Sequence, residues 1–310
     1  MPSTWGAAPK GRIVPQEDLA LAQRVSLDRV QVALGFALGT DHARKSVNNQ
    51  DGIGIARNEK CVVGIVCDGC GSGPDSEVGA LIGAKLLSTC IAGHAERYLK
   101  LGVGDAAELM RWTHILEKAR EDVVAHLRVL GNAMGDSATE IVSRYFLFTA
   151  LGFAITESVT VIFAIGDGVY ILADTSSDPM LDYDIVPLGP FPSNAPPYLG
   201  YNILGTPIPF TIHSLTPTEG LTAVAVGTDG FEDYIAAARN RKTHPGTTTL
   251  VGSIPDLWMT DAYFRNPDAL RRKLYLMNTP KTRIDYDSRV VDRQNGLLRD
   301  DTSIVVARVL

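Results

Sequence analysis

Cysteine is scarce in this sequence. Only Cys61, Cys67, Cys70 and Cys90 occur among its 310 residues, too few for the dense disulfide scaffold of small secreted proteins. Cys67 and Cys70 have C-x-x-C spacing, but no second pair follows them, and a structural zinc site needs four ligands. A disulfide-stapled fold and a zinc ribbon are therefore excluded.

Basic residues and long apolar runs are also few. The chain has 29 Lys and Arg against 35 Asp and Glu, a formal net charge of -6, whereas a general nucleic-acid binder needs a basic surface to displace counterions. One apolar run, Phe146–Ile165, has the length of a membrane span, but Glu157 interrupts it. We interpret it as two buried strands joined by a tight turn. Because the N-terminus shows no secretory signal, we expect a soluble, cytoplasmic protein with no membrane or nucleic-acid partner.

Several familiar catalytic motifs are missing. The sequence has neither H-E-x-x-H nor G-x-S-x-G, the patterns of zinc proteases and of serine hydrolases with a nucleophile elbow. Gly69, Gly71 and Gly73 depart from the G-x-G-x-x-G spacing of dinucleotide sites, and Asp68 would place a negative charge beside a pyrophosphate. A Ser/His/Asp arrangement assembled only by the fold stays open.

Strands and helices are predicted in separate blocks. Helices are predicted from Pro74 onward and over Asp105–Val129, Phe231–Ala238 and Pro267–Met277, and strands over Val30–Leu38, Gly52–Ala56, Cys61–Cys67, Tyr145–Ile155, Val159–Ile165, Val169–Ala173, Asp184–Val186, Phe210–Ser214, Leu221–Val226 and Ser303–Val309. The order lacks the βαβα alternation of a doubly wound sheet and predicts an α+β layered fold with antiparallel sheets. Residues 1–25, rich in Pro, Gly and Ala, are predicted to be an N-terminal extension to one domain over residues 26–310.

Aspartates stand next to the ends of the predicted strands. These acids are Asp51, Asp68, Asp167, Asp229, Asp300 and Asp301. One Asp-Gly pair alone indicates only a turn, but several carboxylates at strand ends are typical of a cluster that needs a cation to offset its repulsion. All-oxygen ligands select hard ions such as Mg²⁺, Mn²⁺ or Ca²⁺.

Five short motifs follow one another along the chain. They are Asn49-Gln50-Asp51, Val66-Cys67-Asp68-Gly69-Cys70-Gly71-Ser72, Ala164-Ile165-Gly166-Asp167-Gly168, Gly227-Thr228-Asp229-Gly230-Phe231-Glu232-Asp233 and Asp300-Asp301-Thr302-Ser303. The series resembles the metal-dependent (type 2C) Ser/Thr protein phosphatases. The segment Gly39-Thr40-Asp41-His42 before the first acid makes it similar to a bacterial branch of that family.

The resemblance implies a four-layer αββα sandwich, two antiparallel β-sheets flanked by helices, with a dinuclear Mn²⁺/Mg²⁺ site at one edge. It implies that Asp68 bridges the two ions and that Gly69 offers its carbonyl. Asp229 and Asp300 would complete the ligands of one ion, and Asp51 would hold the other partly through water.

Asp167 and Asp233 match positions that the family links to a third, weaker ion. In such a site, two ions about 3.5–4 Å apart acidify a bridging water, and the resulting hydroxide attacks phosphorus in line. Asp68 and Asp229 are therefore the expected catalytic residues.

The sequence departs from the family at two positions. The arginine that usually holds the substrate phosphate is replaced by Ser46, so Arg44, Lys45 and His42 become the candidates for phosphate binding. Some members have a histidine as general acid where this chain has Cys70, so we expect water bound to a metal to protonate the leaving group. Cys70 as a small packing residue is the simpler interpretation.

The expected function is a Mn²⁺- or Mg²⁺-dependent phosphatase of phosphoserine and phosphothreonine proteins in a bacterial cytoplasm, acting opposite a cognate Ser/Thr kinase. Three alternatives stay open: a catalytically weak or inactive relative that binds a phosphorylated partner, a small-molecule phosphohydrolase, and a calcium-binding structural protein.

Overall fold

The computed structural model describes residues 24–100, 108–135, 137–175, 182–192, 195–285, 287 and 289–310. Its strands are β1 (Val30–Ala37), β2 (Asp51–Arg57), β3 (Val62–Asp68), β4 (Ala150–Ile155), β5 (Val159–Ile165), β6 (Gly168–Asp174), β7 (Tyr183–Leu188), β8 (Thr211–Pro217), β9 (Leu221–Gly227), β10 (Lys281–Asp285), β11 (Val290–Gln294) and β12 (Thr302–Val309). Its α-helices are α1 (Thr40–Lys45), α2 (Ser76–Lys100), α3 (Glu108–Met134), α4 (Ala138–Ile141), α5 (Phe231–Arg239), α6 (Asp256–Met259), α7 (Asp261–Arg265) and α8 (Ala269–Asn278). Most of the predicted N-terminal extension, and the predicted helix start at Asp105, lie outside the described residues.

The strands form two five-stranded sheets and one separate hairpin. The first sheet has the order β1-β12-β9-β6-β7 and the second the order β2-β3-β4-β5-β8. All neighbouring strands in both are antiparallel. The run Phe146–Ile165 contributes β4 and β5, with a turn at Thr156–Ser158 between them. The predicted α+β class with antiparallel sheets is confirmed.

Three groups of buried apolar side chains hold the layers together. One lies between the second sheet and α2 and α3 and includes Leu87 and Trp112. Another lies between the first sheet and the helices α5 to α8 and includes Tyr234 and Leu274. The third joins the two sheets face to face around Phe153. Central strands such as β5 are thus covered on both faces, which explains their near-continuous apolar sequence. The order helix, sheet, sheet, helix is the predicted αββα sandwich.

The segment before β4 differs from the prediction. The strand predicted over Tyr145–Ile155 begins only at Ala150, because Val142–Phe146 forms a π-helical turn. This turn packs closely on α2: a Cβ at Gly79 would lie 2.0 Å from the Tyr145 carbonyl oxygen. An aromatic and β-branched run is compatible with a buried strand and with a buried helical turn, and its periodicity does not separate them.

The hairpin of β10 and β11 was not predicted. All five residues of β11 are exposed, and the apolar side chains Ile284 and Val291 are 48% and 62% exposed. Without a buried face, the hairpin lacks the apolar and polar alternation by which a strand is recognised in a sequence.

One helix among the described residues, α2, is long and apolar enough over Ser76–Leu99 to cross a membrane by length and composition, with a hydropathy of 1.4. Half of that window is buried, and the helix packs on β2, β3 and α3. We interpret it as a core helix of the sandwich.

Candidate active site

Asp51 and Asp68 lie side by side where β2 begins and β3 ends. They face each other directly in the antiparallel pair, where opposite Cα atoms are about 4.5–5.5 Å apart. Gly69 follows, and its amide donates to the Gln50 carbonyl oxygen at 3.1 Å. A Cβ at this glycine would lie 2.7 Å from both Gln50 O and Ser76 Oγ. Close packing beneath the second acid therefore requires glycine at position 69.

The first sheet brings Asp229 and Asp300 to the same edge. Asp229 follows β9 and Asp300 precedes β12, and these two strands are neighbours. Thr228 links the two sheets, because its hydroxyl donates to Asp51 Oδ2 at 2.9 Å. Acids from both sheets thus lie at one edge of the sandwich.

Asp167 and Asp233 occupy different parts of this edge. Asp167 lies in the turn between β5 and β6, flanked by Gly166 and Gly168 with φ of 92° and 129°. Asp233 lies in the first turn of α5, and its Oδ2 accepts a hydrogen bond of 2.6 Å from the Arg299 amide. Asp233 therefore holds the segment that carries Asp300, while Asp167 joins the other acids.

The acid cluster, defined as Asp51, Asp68, Asp167, Asp229 and Asp300, shares one electrostatic environment. Burial raises the pKa of Asp68 well above its ordinary value, and the charges of the other four carboxylates raise it further. Burial, and then the charges of Asp300 and Asp167, raise the pKa of Asp229 to about 7. Burial also raises the pKa values of Asp51 and Asp167. Such a cluster is stable near neutral pH only with protons or cations bound to it.

The donor set of the cluster fits hard divalent cations. Among the residues that the structure describes, none donates a hydrogen bond to the buried Asp51 Oδ1. In the described part of the chain, none of the five carboxylates forms an ion pair with Lys or Arg. Over the same residues, no three Asp, Glu, His or Cys side chains lie close enough together to hold a metal ion as they stand in this structure. All-oxygen ligands of this kind suit Mg²⁺ and Mn²⁺.

The three candidates for phosphate binding lie on α1 or at its end but point to different partners. Arg44 pairs with Asp41 at 3.1 Å, and its side chain is 56% exposed. Lys45 is exposed at the last residue of the helix. His42 is the one held at the site: its Nδ1 lies 2.8 Å from Asp301 Oδ2, and its side chain is 17% exposed.

Asp301 has a role that the sequence did not reveal. It is only 3% exposed, and its Oδ1 accepts a hydrogen bond of 2.7 Å from the Gly39 amide. Its Oδ2 accepts one of 2.6 Å from the Gln50 amide and faces His42 as well. One carboxylate therefore joins β12 to both ends of the segment between β1 and β2. The doublet Asp300-Asp301 was visible in the sequence, but nothing local distinguished its second member.

Cys70 lies two residues after Asp68, in the loop that follows β3. It is half-buried, and its Sγ lies 3.1 Å from Ser72 Oγ. This contact within the loop is consistent with a small packing residue.

Known proteins resemble this chain in part of its sequence and in its fold. Residues 38–183 match the family model of protein phosphatase 2C. A solved bacterial serine phosphatase is 13% identical with a TM-score of 0.52, covering 90% of this chain and 97% of its own. A single-residue variant of a bacterial serine phosphatase is 13% identical with a TM-score of 0.51, covering 91% of this chain and 99% of its own. The catalytic domain of the phosphatase PstP, solved in complex with 2 manganese ions, is 14% identical with a TM-score of 0.42 over 91% and 98%. No curated protein matches the chain.

The family match covers the first three motifs, and the likeness to the serine phosphatase extends the shared fold over the two that follow. The ordered motifs, the αββα architecture and the family model agree with one another. Residues 38–183 of this chain are thus similar to the protein phosphatase 2C family, and the described fold is shared with a solved bacterial serine phosphatase.

Proposed function

We propose that this protein is a Mn²⁺- or Mg²⁺-dependent phosphatase that removes phosphate from phosphoserine and phosphothreonine in proteins. The observation that carries the proposal is the acid cluster, in which carboxylates from both sheets lie at one edge. Burial raises the pKa of Asp68 and of Asp229, and the charges of the neighbouring carboxylates raise both pKa values further. The match of residues 38–183 to the protein phosphatase 2C family model supports the same chemistry. We place the reaction in a bacterial cytoplasm, opposite a Ser/Thr kinase that makes the substrate.

Two or three cations would be held by oxygen atoms at the edge of the sandwich where the acid cluster lies. The residues we assign are Asp51, Asp68, the Gly69 carbonyl, Asp229 and Asp300, with Asp167 and Asp233 for the third ion. Divalent cations bound there would supply an activated water and offset the charge on the phosphoryl oxygens. The Thr228 hydroxyl donates a hydrogen bond of 2.9 Å to Asp51 Oδ2. The buried Oδ1 of Asp51 is therefore the oxygen that we assign to a cation.

His42 is the residue that we propose for the substrate phosphate. Asp301 fixes its ring through Nδ1, and the ring then offers Nε2. The carboxylate is itself held by two backbone amides, so the orientation of the ring is set before substrate binds. Arg44 is engaged by Asp41, which makes it the weaker candidate, and Lys45 would reach the site only from the surface.

A second candidate function is a relative of low activity that binds a phosphorylated partner. Ser46 favours it: the residue stands where the family usually has its phosphate-binding arginine, and it is exposed with φ of 56°. A serine at that position lacks the planar fork with which arginine holds a phosphate.

The test is hydrolysis of p-nitrophenyl phosphate and of a phosphothreonine peptide, each with Mn²⁺ and with chelator. We expect turnover of both with Mn²⁺, loss with chelator, and loss in Asp68→Asn. Asp28→Asn, an exposed acid near β1, is the matched control and should keep full activity. Turnover of the small ester alone would indicate a small-molecule phosphohydrolase. Peptide binding without turnover on either substrate would favour the second candidate, and calcium binding without hydrolysis would favour a structural role.

A further inference from the structure

A cavity of about 320 Å³ lies between α5 and the edge of the first sheet. Its apolar lining includes Val169 of β6, Ile185 and Pro187 of β7, and Ile235 of α5. Val169 and Ile235 are 1% and 3% exposed and belong to the core under α5, whereas Ile185 and Pro187 are half-buried. Because β7 is the edge strand, the helical layer leaves part of this core open to solvent.

The rim of the cavity is charged at both ends. Glu232 and Asp233 lie at the beginning of α5, and Arg239 and Asn240 lie at its end. Arg239 lies seven positions after Glu232 in the helix, about 10 Å along the axis. The cavity is thus an apolar trough with acids at one end and a base at the other.

The acidic end of the rim adjoins the acid cluster. The carboxylate of Glu232 interacts electrostatically with Asp167 and with Asp229. Asp233 binds the Arg299 amide, one residue before Asp300. An extended peptide advances about 3.3–3.6 Å per residue. A phosphorylated residue at the cluster would therefore bring a residue within about three positions of it over the cavity.

We propose that this cavity is a specificity pocket for one large apolar side chain, Leu, Met or Phe, near the phosphorylated residue of a substrate protein. The proposal rests on the proposed function of the adjoining cluster. The apolar floor offers no hydrogen bond to a polar side chain, and burying a polar group without one is unfavourable. The charge of Glu232 disfavours an acidic side chain at the near end, and that of Arg239 disfavours Lys or Arg at the far end. An apolar side chain gains from leaving water and meets neither repulsion.

The experiment uses phosphothreonine peptides with one Leu, Ala, Glu or Lys at each position within about three residues of the phosphate. The variant is Ala236→Trp, because Ala236 lines the cavity and is exposed on α5, so that tryptophan fills the cavity without entering the core. Ala133→Trp, an exposed alanine on α3 in the opposite helical layer, is the matched control. The readouts are kcat/KM, peptide affinity by fluorescence anisotropy, and turnover of p-nitrophenyl phosphate, which has no flanking residue.

At one or two positions, Leu should raise kcat/KM and affinity about tenfold over Ala, with Glu and Lys below Ala. Ala236→Trp should remove that gain and leave p-nitrophenyl phosphate turnover unchanged, and Ala133→Trp should change neither. Equal values for Leu and Ala at every position would overturn the pocket while leaving the phosphatase intact. The pocket would also be overturned if Ala236→Trp lost as much p-nitrophenyl phosphate turnover as peptide turnover. If no substrate is turned over, the proposed function fails, and anisotropy still decides whether the pocket selects Leu.

Discussion

Replacing Asp301 by asparagine tests the arrangement of α1 and β2 most directly. Asp301 Oδ1 accepts from the Gly39 amide and Oδ2 from the Gln50 amide, at 2.7 and 2.6 Å. Asparagine has the same shape but only one acceptor oxygen. Whichever way the amide is turned, its NH₂ group faces one of these buried N–H donors.

The expected loss of stability follows from the one buried N–H donor that asparagine leaves unsatisfied. An unsatisfied buried donor costs about 1–3 kcal/mol, and the remaining bond loses the extra strength of a charged acceptor. We expect Asp301→Asn to lower the free energy of unfolding by about 2–4 kcal/mol. Urea unfolding with chelator present, followed by the fluorescence of the buried Trp112 and Trp258, measures this change without a contribution from bound cations.

Asp28→Asn is the control and should change the unfolding free energy by no more than about 0.5 kcal/mol. An Asp301→Asn protein within that same margin would refute the assignment of both carboxylate oxygens. A double-mutant cycle with His42→Ala extends the test to function. If Asp301 acts by holding His42, the two substitutions together should lower kcat/KM by less than the product of their separate effects.

Three further predictions concern the same edge of the sandwich. Gly69→Ala should lower the free energy of unfolding by about 1–3 kcal/mol, because its Cβ would lie 2.7 Å from Gln50 O and Ser76 Oγ. Gly93→Ala, where a Cβ in α2 meets nothing within 4 Å, should instead raise it by about 0.5–1 kcal/mol, and urea unfolding of both checks the pair. Thr228→Val removes the donor to Asp51 Oδ2 and should weaken Mn²⁺ binding about tenfold; an unchanged Kd by calorimetry would contradict this. The pKa of Asp229 is raised from 3.8 to about 7, so the folded chelator-treated protein binds this proton more tightly than the unfolded one. Its contribution to stability should therefore fall as the pH rises from about 4 to about 7, and Asp229→Asn should show a flatter profile in that window, whereas identical profiles would argue against the shift.

The strand-end acids could be found from the sequence because their signal is local. Asp51, Asp68 and Asp229 each adjoin a short apolar run that predicts a strand, and the ends of neighbouring antiparallel strands meet at one edge. The structure brings them together there with Asp167 and Asp300. Their roles as ligands stay a prediction that metal titration has to test.

The contacts that hold the edge together could not be found in this way. Thr228 and Asp51 are separated by 177 residues, and Asp301 lies 251 residues from Gln50. No local pattern links such pairs, since each depends on the register of two sheets and on their packing face to face. The π-helical turn before β4 was missed for a different reason, because an apolar run fits two kinds of buried backbone.

The position of β12 in the first sheet has a consequence for how the molecule is made. β1 pairs with β12, and β12 in turn pairs with β9, so an early strand must wait for one that leaves the ribosome some 270 residues later. Pairings so distant along the chain close slowly. The acids Asp51 and Asp68 exist together early in synthesis, yet Asp300 and the Asp301 carboxylate that fastens α1 arrive only with the last strand. The edge is therefore complete only after β12 has been synthesised, and a chain terminated before Asp300 lacks both Asp300 and Asp301.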